Sequence, residues 1–92
     1  MTDRVADVPE RSRYELAADG STAFLEYAKA ERTITLVHTE VPEALSGKGI
    51  GSRLVRGALD DIRAKHLRVV AECEFAAAFI ERHPEYRDLL AG

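Results

Sequence analysis

A chain of 92 residues, 46% hydrophobic and 32% charged, has room for one domain and one modest core. Its formal charge of -3, from 13 basic and 16 acidic side chains, leaves no basic stripe and argues against a nucleic-acid module. No apolar run approaches a membrane span, Met1 to Arg4 lack the core of a signal peptide, and the single cysteine, Cys73, permits neither an internal disulfide framework nor a thiol-based zinc site, so a cytoplasmic location is expected.

Residues 1–12 read as a polar lead-in, interrupted by Pro9, whose end can pair as an edge strand. Tyr14 and Leu16 alternate in a first strand from Arg13 to Ala17, and Asp19-Gly20 is a hairpin turn. Thr22 to Lys29 forms a second strand, with Ala23, Leu25 and Tyr27 on one face and Phe24 on the other. After the short link Ala30-Glu31-Arg32, the β-branched run from Thr33 to Thr39 is a third strand, in which Ile34, Leu36 and His38 alternate. A glycine-rich loop then leads into a helix from about Gly49 to Lys65, where Ile50, Leu54, Ala58 and Ile62 recur every four residues. Leu67 to Glu72 is a fourth strand, and the strand-helix-strand crossover makes it parallel to the third. A second helix runs from about Glu74 to His83, stops before Pro84, and turns Phe75, Ala76, Phe79 and Ile80 inward; Tyr86, Leu89 and Leu90 close the fold. The expected class is α/β, with three antiparallel strands, a parallel fourth and two main helices.

The loop from Glu40 to Val55 carries the chemistry. Glycine at positions 47, 49 and 51 lets the backbone take positive φ and approach a ligand closely, and the helix start behind it offers unpaired N–H groups and the positive end of its dipole. Lys48 and Arg53 add cations suited to a diphosphate. The Walker spacing fails because Gly49, not Ser or Thr, follows Lys48. A dinucleotide fingerprint would use Gly47 and Gly49 but meets Ser52 at its third glycine, and Val41 to Ser46 separate the loop from the strand. The third pattern, Gln/Arg-x-x-Gly-x-Gly/Ala at a strand-loop-helix junction, matches at both glycines of Ser46-Gly47-Lys48-Gly49-Ile50-Gly51, with Ser46 in the Gln/Arg place.

That pattern resembles the acetyl-CoA loop of the GNAT superfamily of N-acetyltransferases. The blocks His38 to Glu43, Gly47 to Gly51, Cys73-x-Phe75 and Arg82-His83-Pro84-Glu85-Tyr86, in order, resemble the short stand-alone members of that superfamily. Full-size members add paired helices after the first strand and two final strands, and those parts shape the acceptor site. The resemblance implies transfer of an acetyl group from acetyl-CoA to an amine. The coenzyme would be held by Val41, by the backbone from Gly47 through Lys48, Gly49, Ile50 and Gly51 to Ser52, and by Arg53. The strands before and after the helix would splay, with the pantetheine arm lying along Thr39, Glu40 and Val41. Cys73 would then stand near the thioester, as acetyl acceptor or as proton donor or acceptor for the departing thiol. The competing outcome for Cys73 is a buried small hydrophobe.

His38 is a candidate general base and Glu40 a candidate acceptor of the amine proton; a structural hydrogen bond and a solvated carboxylate are their plain alternatives. His83 reads as a hydrogen-bond anchor or helix C-terminal cation, and Tyr86 as packing whose hydroxyl can line the cleft. The expected partners are acetyl-CoA and an unidentified amine, without nucleic acid or membrane, in a monomer or a dimer. A rival from another class is a CoA-binding or protein-interaction module without turnover, and a third reading is a protein that binds NADH or ATP through Gly47 and Gly49.

Overall fold

The computed structural model describes residues 4–91; residues 1–3, part of the lead-in, lie outside that range. Five strands form one sheet in the order β1 (Ala6–Val8), β2 (Arg13–Ala18), β3 (Ser21–Ala30), β4 (Thr33–Glu40) and β5 (Arg68–Ala71). The pairing is antiparallel from β1 to β4 and parallel between β4 and β5. The end of the lead-in therefore does pair, as β1. At the β2–β3 turn Asp19 and Gly20 have φ of 50° and 78°, the left-handed pair that a two-residue hairpin matching strand twist demands.

Strand period decides which side is buried. Tyr14 and Leu16 of β2 stand opposite Leu25 and Ala23 of β3, Tyr27 stands opposite Leu36 of β4, and Ile34 pairs with Val69 of β5. All eight are buried in one cluster, which also takes in Leu54, Val55, Ala58, Leu59 and Ile62 of α1 (Ile50–Ala64) and Ala76, Phe79 and Ile80 of α2 (Glu74–Arg82). Both helices thus cover one face of the sheet. Each large aliphatic chain so buried contributes about 2 kcal/mol relative to exposure. The other face carries Arg13, Glu15, Phe24, Glu26, His38 and Glu40, none of them buried.

Two long-range ties close the far end of the molecule. Val5 lies against Gly57, where a Cβ would come within 2.4 Å of its methyl carbon, so the glycine in mid-helix is a seat for the lead-in. Asp7 of β1 accepts from the Tyr27 hydroxyl at 2.6 Å and from Lys65 Nζ at 2.9 Å; Lys65 also pairs with Asp61, which accepts from the Tyr14 hydroxyl at 2.7 Å. Burial, then the hydrogen bond to Asp7, pushes the Tyr27 phenol up to about 12; burial, then Asp61, raises that of Tyr14 further.

Two expectations need correction. Phe75 does not face inward: it is 44% exposed, because the buried stripe of the nine-residue α2 runs through Ala76, Phe79 and Ile80 and leaves Phe75 at its edge. The alternation in β4 does not carry through to His38. Glu26 pairs with His38 while Tyr27 pairs with Leu36, so Val37 is an extra residue, a β-bulge. The bulge flips the phase: Thr39, opposite Leu25, returns to the helix-covered face, and His38 and Glu40 go to the open one.

Candidate functional site

The glycine loop is held from below by one residue. Leu45, fully buried, closes a single helical turn in which Leu45 N–H donates to the Pro42 carbonyl at 2.8 Å and Ser46 N–H to that of Glu43 at 3.0 Å. Above this pin the three glycines divide into two roles. Gly47 and Gly49 take φ of 80° and 71° with open space where a Cβ would stand, so backbone conformation is what requires glycine there. Gly51 is helical and buried, and a Cβ on it would meet Cζ of Phe75 at 2.7 Å. Glycine at 51 thus lets the Phe75 ring of α2 settle directly over the start of α1.

Gly49 begins α1 without a side-chain cap, and the first intrahelical bond is donated by Arg53 to the Gly49 carbonyl at 3.1 Å. The amides of Ile50, Gly51 and Ser52 precede it and point along the axis, toward the loop. Ile50 is buried, so its backbone alone is offered there; Ser52 and Arg53 are exposed. Lys48 Nζ lies 2.7 Å from Asp19 in the β2–β3 turn, and this hydrogen bond and charge hold the Asp19 carboxyl below the usual carboxylate range. Both partners are exposed, a pairing that a competing anion can displace at little cost.

On the other side of the loop the sheet parts. The last paired residues of β4 and β5 are Leu36 and Ala71, after which the Leu36 carbonyl accepts from both Glu72 N–H at 3.0 Å and Cys73 N–H at 2.8 Å. From Val37 to Glu40, β4 keeps only its β3 partner, so one edge of its backbone is without a strand, and half-buried Val41 continues toward the loop. Cys73 sits at the fork as the N-cap residue of α2, 7% exposed, with its Sγ 3.1 Å from Thr39 Oγ1.

His38 and Glu40 form a separate pair on the open face. Nε2 of His38 is 2.9 Å from Oε1 of Glu40 and, since a carboxylate only accepts, Nε2–H is the donor; in the neutral ring the lone pair then resides on Nδ1. The structure therefore brings Cys73 together with Thr39, and places His38 with Glu40 on the opposite side of the same strand. His83 donates Nδ1–H to the Phe79 carbonyl at 2.8 Å and stacks on the Phe79 ring at 4.0 Å, the anchoring role expected of it. The buried Tyr86 hydroxyl donates to Asp60 at 2.6 Å, which ties the last segment to α1. Sequence reasoning missed Asp19 as the partner of Lys48 and Phe75 as the cover of the α1 start. Neither leaves a local signal, since each partner lies more than twenty residues away.

A loop whose glycine conformations present free amides, next to a fork between parallel strands, fits a phosphate-bearing ligand with an extended arm. Residues 13–89 match the profile of the GCN5-related N-acetyl-transferase family. The chain belongs to that family. Among relatives of this family member, protein NATD1 of Danio rerio is 30% identical over 89 residues, covering 90% of this chain and 80% of its own. Protein NATD1 of Bos taurus is 35% identical over 66 residues, a match that takes in 72% of this chain and only 58% of the bovine protein. The fold is shared with a GCN5-like protein from Staphylococcus aureus solved in solution, at a TM-score of 0.72 and 24% identity over 97% of this chain and 88% of the other. Among the described residues no helix is long and apolar enough to cross a membrane, and no His, Cys, Asp and Glu group has the arrangement of a metal site.

Proposed function

We propose that the chain, acting as one domain, is an acetyl-CoA-dependent N-acetyltransferase that acetylates an amine. The observation that supports this most is the parting of β4 and β5 at Leu36, with Cys73 in the fork and the glycine loop beside it. When bound, acetyl-CoA supplies an acetyl group already activated as a thioester.

The remaining work falls to the chain. The backbone from Gly47 to Ser52 receives the diphosphate, with Lys48, released from Asp19, and Arg53 offsetting its charge. The unpaired edge of Thr39, Glu40 and Val41 offers backbone partners to the pantetheine amides. Cys73, hydrogen-bonded to Thr39, takes the place nearest the thioester. There its sulfur either takes the acetyl group as the CoA S–C bond breaks, its proton passing to the released CoA thiolate, and then hands the acetyl group to the amine, or it only gives its proton to the departing CoA thiolate. His38, on the open face and oriented by Glu40, takes the proton lost by an amine that reaches the carbonyl carbon from that face where the strands part. The lone thiol fits a reducing compartment such as the cytoplasm.

Calorimetric titration with acetyl-CoA, beside NADH and ATP, tests the donor assignment: micromolar binding selective for acetyl-CoA is expected, and its absence would remove the assignment. Release of free CoA thiol with a panel of amines then tests turnover. Binding without release marks a CoA-binding module. Intact mass after exposure to acetyl-CoA, with Cys73→Ala alongside, separates the covalent from the proton-transfer role of the thiol.

A further inference from the structure

A second cleft opens on the flank of α2 that faces the start of α1. It measures about 160 Å³ and is lined by Ser52, Phe75, Ala78, Phe79, Arg82 and His83. That is below the range of drug-sized pockets and suits a single planar ring system. Its two ends differ in character. At one end stands Phe75, a 44% exposed aromatic whose ring lies over Gly51, so the cleft begins where the free amides of α1 end. At the other end stands Arg82, exposed and in no ion pair among the described residues, beside the half-buried ring of His83. Leaving a large aromatic face in water costs apolar burial, and here the far end of the same cleft holds an uncommitted guanidinium, a fork of donors matched to phosphate.

We propose that this cleft takes the nucleotide end of the donor, with the purine on Phe75 and the ribose 3′-phosphate on Arg82. The assignment rests on the acetyl-CoA reading above and deepens it. Helix α2 acts as a ruler: Cys73 caps one end at the strand fork, and Arg82 lies about 13 Å further along the axis at the helical rise per residue. A ligand threaded past the α1 amides thus meets thiol, aromatic and guanidinium in sequence. His83 keeps its Nδ1 proton on the Phe79 carbonyl, which leaves the Nε2 lone pair to accept from a ribose hydroxyl.

The consequence is discrimination by the 3′-phosphate. Calorimetric titration of the full chain with CoA and with 3′-dephospho-CoA should show CoA binding about tenfold tighter, the usual scale of one exposed charge-assisted contact. Arg82→Gln, at an exposed position, should bring CoA down to the affinity of 3′-dephospho-CoA and leave the latter unchanged. Phe75→Leu should weaken both ligands several-fold while keeping their ratio. Equal binding of the two ligands to the unaltered chain, or equal losses for both in Arg82→Gln, overturns the nucleotide cleft while leaving the donor site standing. Absence of CoA binding to the unaltered chain overturns both.

Discussion

Replacing the three loop glycines one at a time by alanine tests the division of labour between them. At Gly49, φ of 71° and ψ of 17° is left-handed helical backbone, which costs an L-residue about 1–2 kcal/mol. Nothing lies within 4 Å of the added Cβ, so no clash adds to that cost. The smaller entropy of the unfolded alanine chain returns about 0.5 kcal/mol. A net loss of about 1 kcal/mol follows, which for a domain of this size lowers Tm by about 4–8 °C. Gly47→Ala, at φ of 80° and also in open space, should behave alike. Gly51→Ala is different in kind, since its backbone is helical and alanine gains about 1 kcal/mol there by propensity. Against that, the Cβ meets the tip of the Phe75 ring at 2.7 Å, and this half-exposed ring swings away and gives up part of its packing. The two terms nearly cancel, so Tm should hardly move. Thermal unfolding followed by far-ultraviolet circular dichroism measures all three. A silent Gly49→Ala together with a strongly destabilised Gly51→Ala would refute the reasoning.

Other consequences follow from the same geometry. Because the folded chain keeps the Tyr14 and Tyr27 phenols protonated above the ordinary value near 10, the unfolded chain releases protons first as pH rises. Stability should thus be complete below pH of about 10 and fall toward pH of about 12; Tm measured against pH should flatten in Tyr14→Phe and Tyr27→Phe, and an unchanged slope would remove the linkage. Gly57→Ala should destabilise the protein despite its favourable helix propensity, since the new methyl displaces Val5; a raised Tm would contradict that packing. Asp19→Asn frees Lys48 and should tighten CoA binding a few-fold at low salt and not at high salt; a salt-independent change would mean that Lys48 does not meet phosphate. Thr39→Val, which keeps shape and deletes the hydroxyl beside Cys73, should lower turnover about tenfold with little change in acetyl-CoA affinity; full activity would make that contact structural.

The local structure was legible because each signal lies within a few residues. Alternation located β2 and β3, Asp19-Gly20 fixed their turn, and the four-residue recurrence from Ile50 to Ile62 set α1 and its buried stripe. The glycine spacing and the lone Cys73 before a helix could likewise be read along the chain, and with them the family. What alternation misjudged was β4, because one inserted residue, Val37, reverses the side of everything after it, and a bulge is defined only against the partner strand. The pairing of Thr39 with Cys73, of Lys48 with Asp19 and of Phe75 with Gly51 depends on how α2 and the β2–β3 turn dock on the start of α1. Such contacts between distant segments are set by the packing of the whole core. The sequence by itself thus determined the elements, most of their buried faces and the kind of loop, whereas tertiary structure alone decided the phase of β4 beyond its bulge and which distant side chains meet, since a side chain acquires neighbours beyond its own turn only when the sheet and helices close around it.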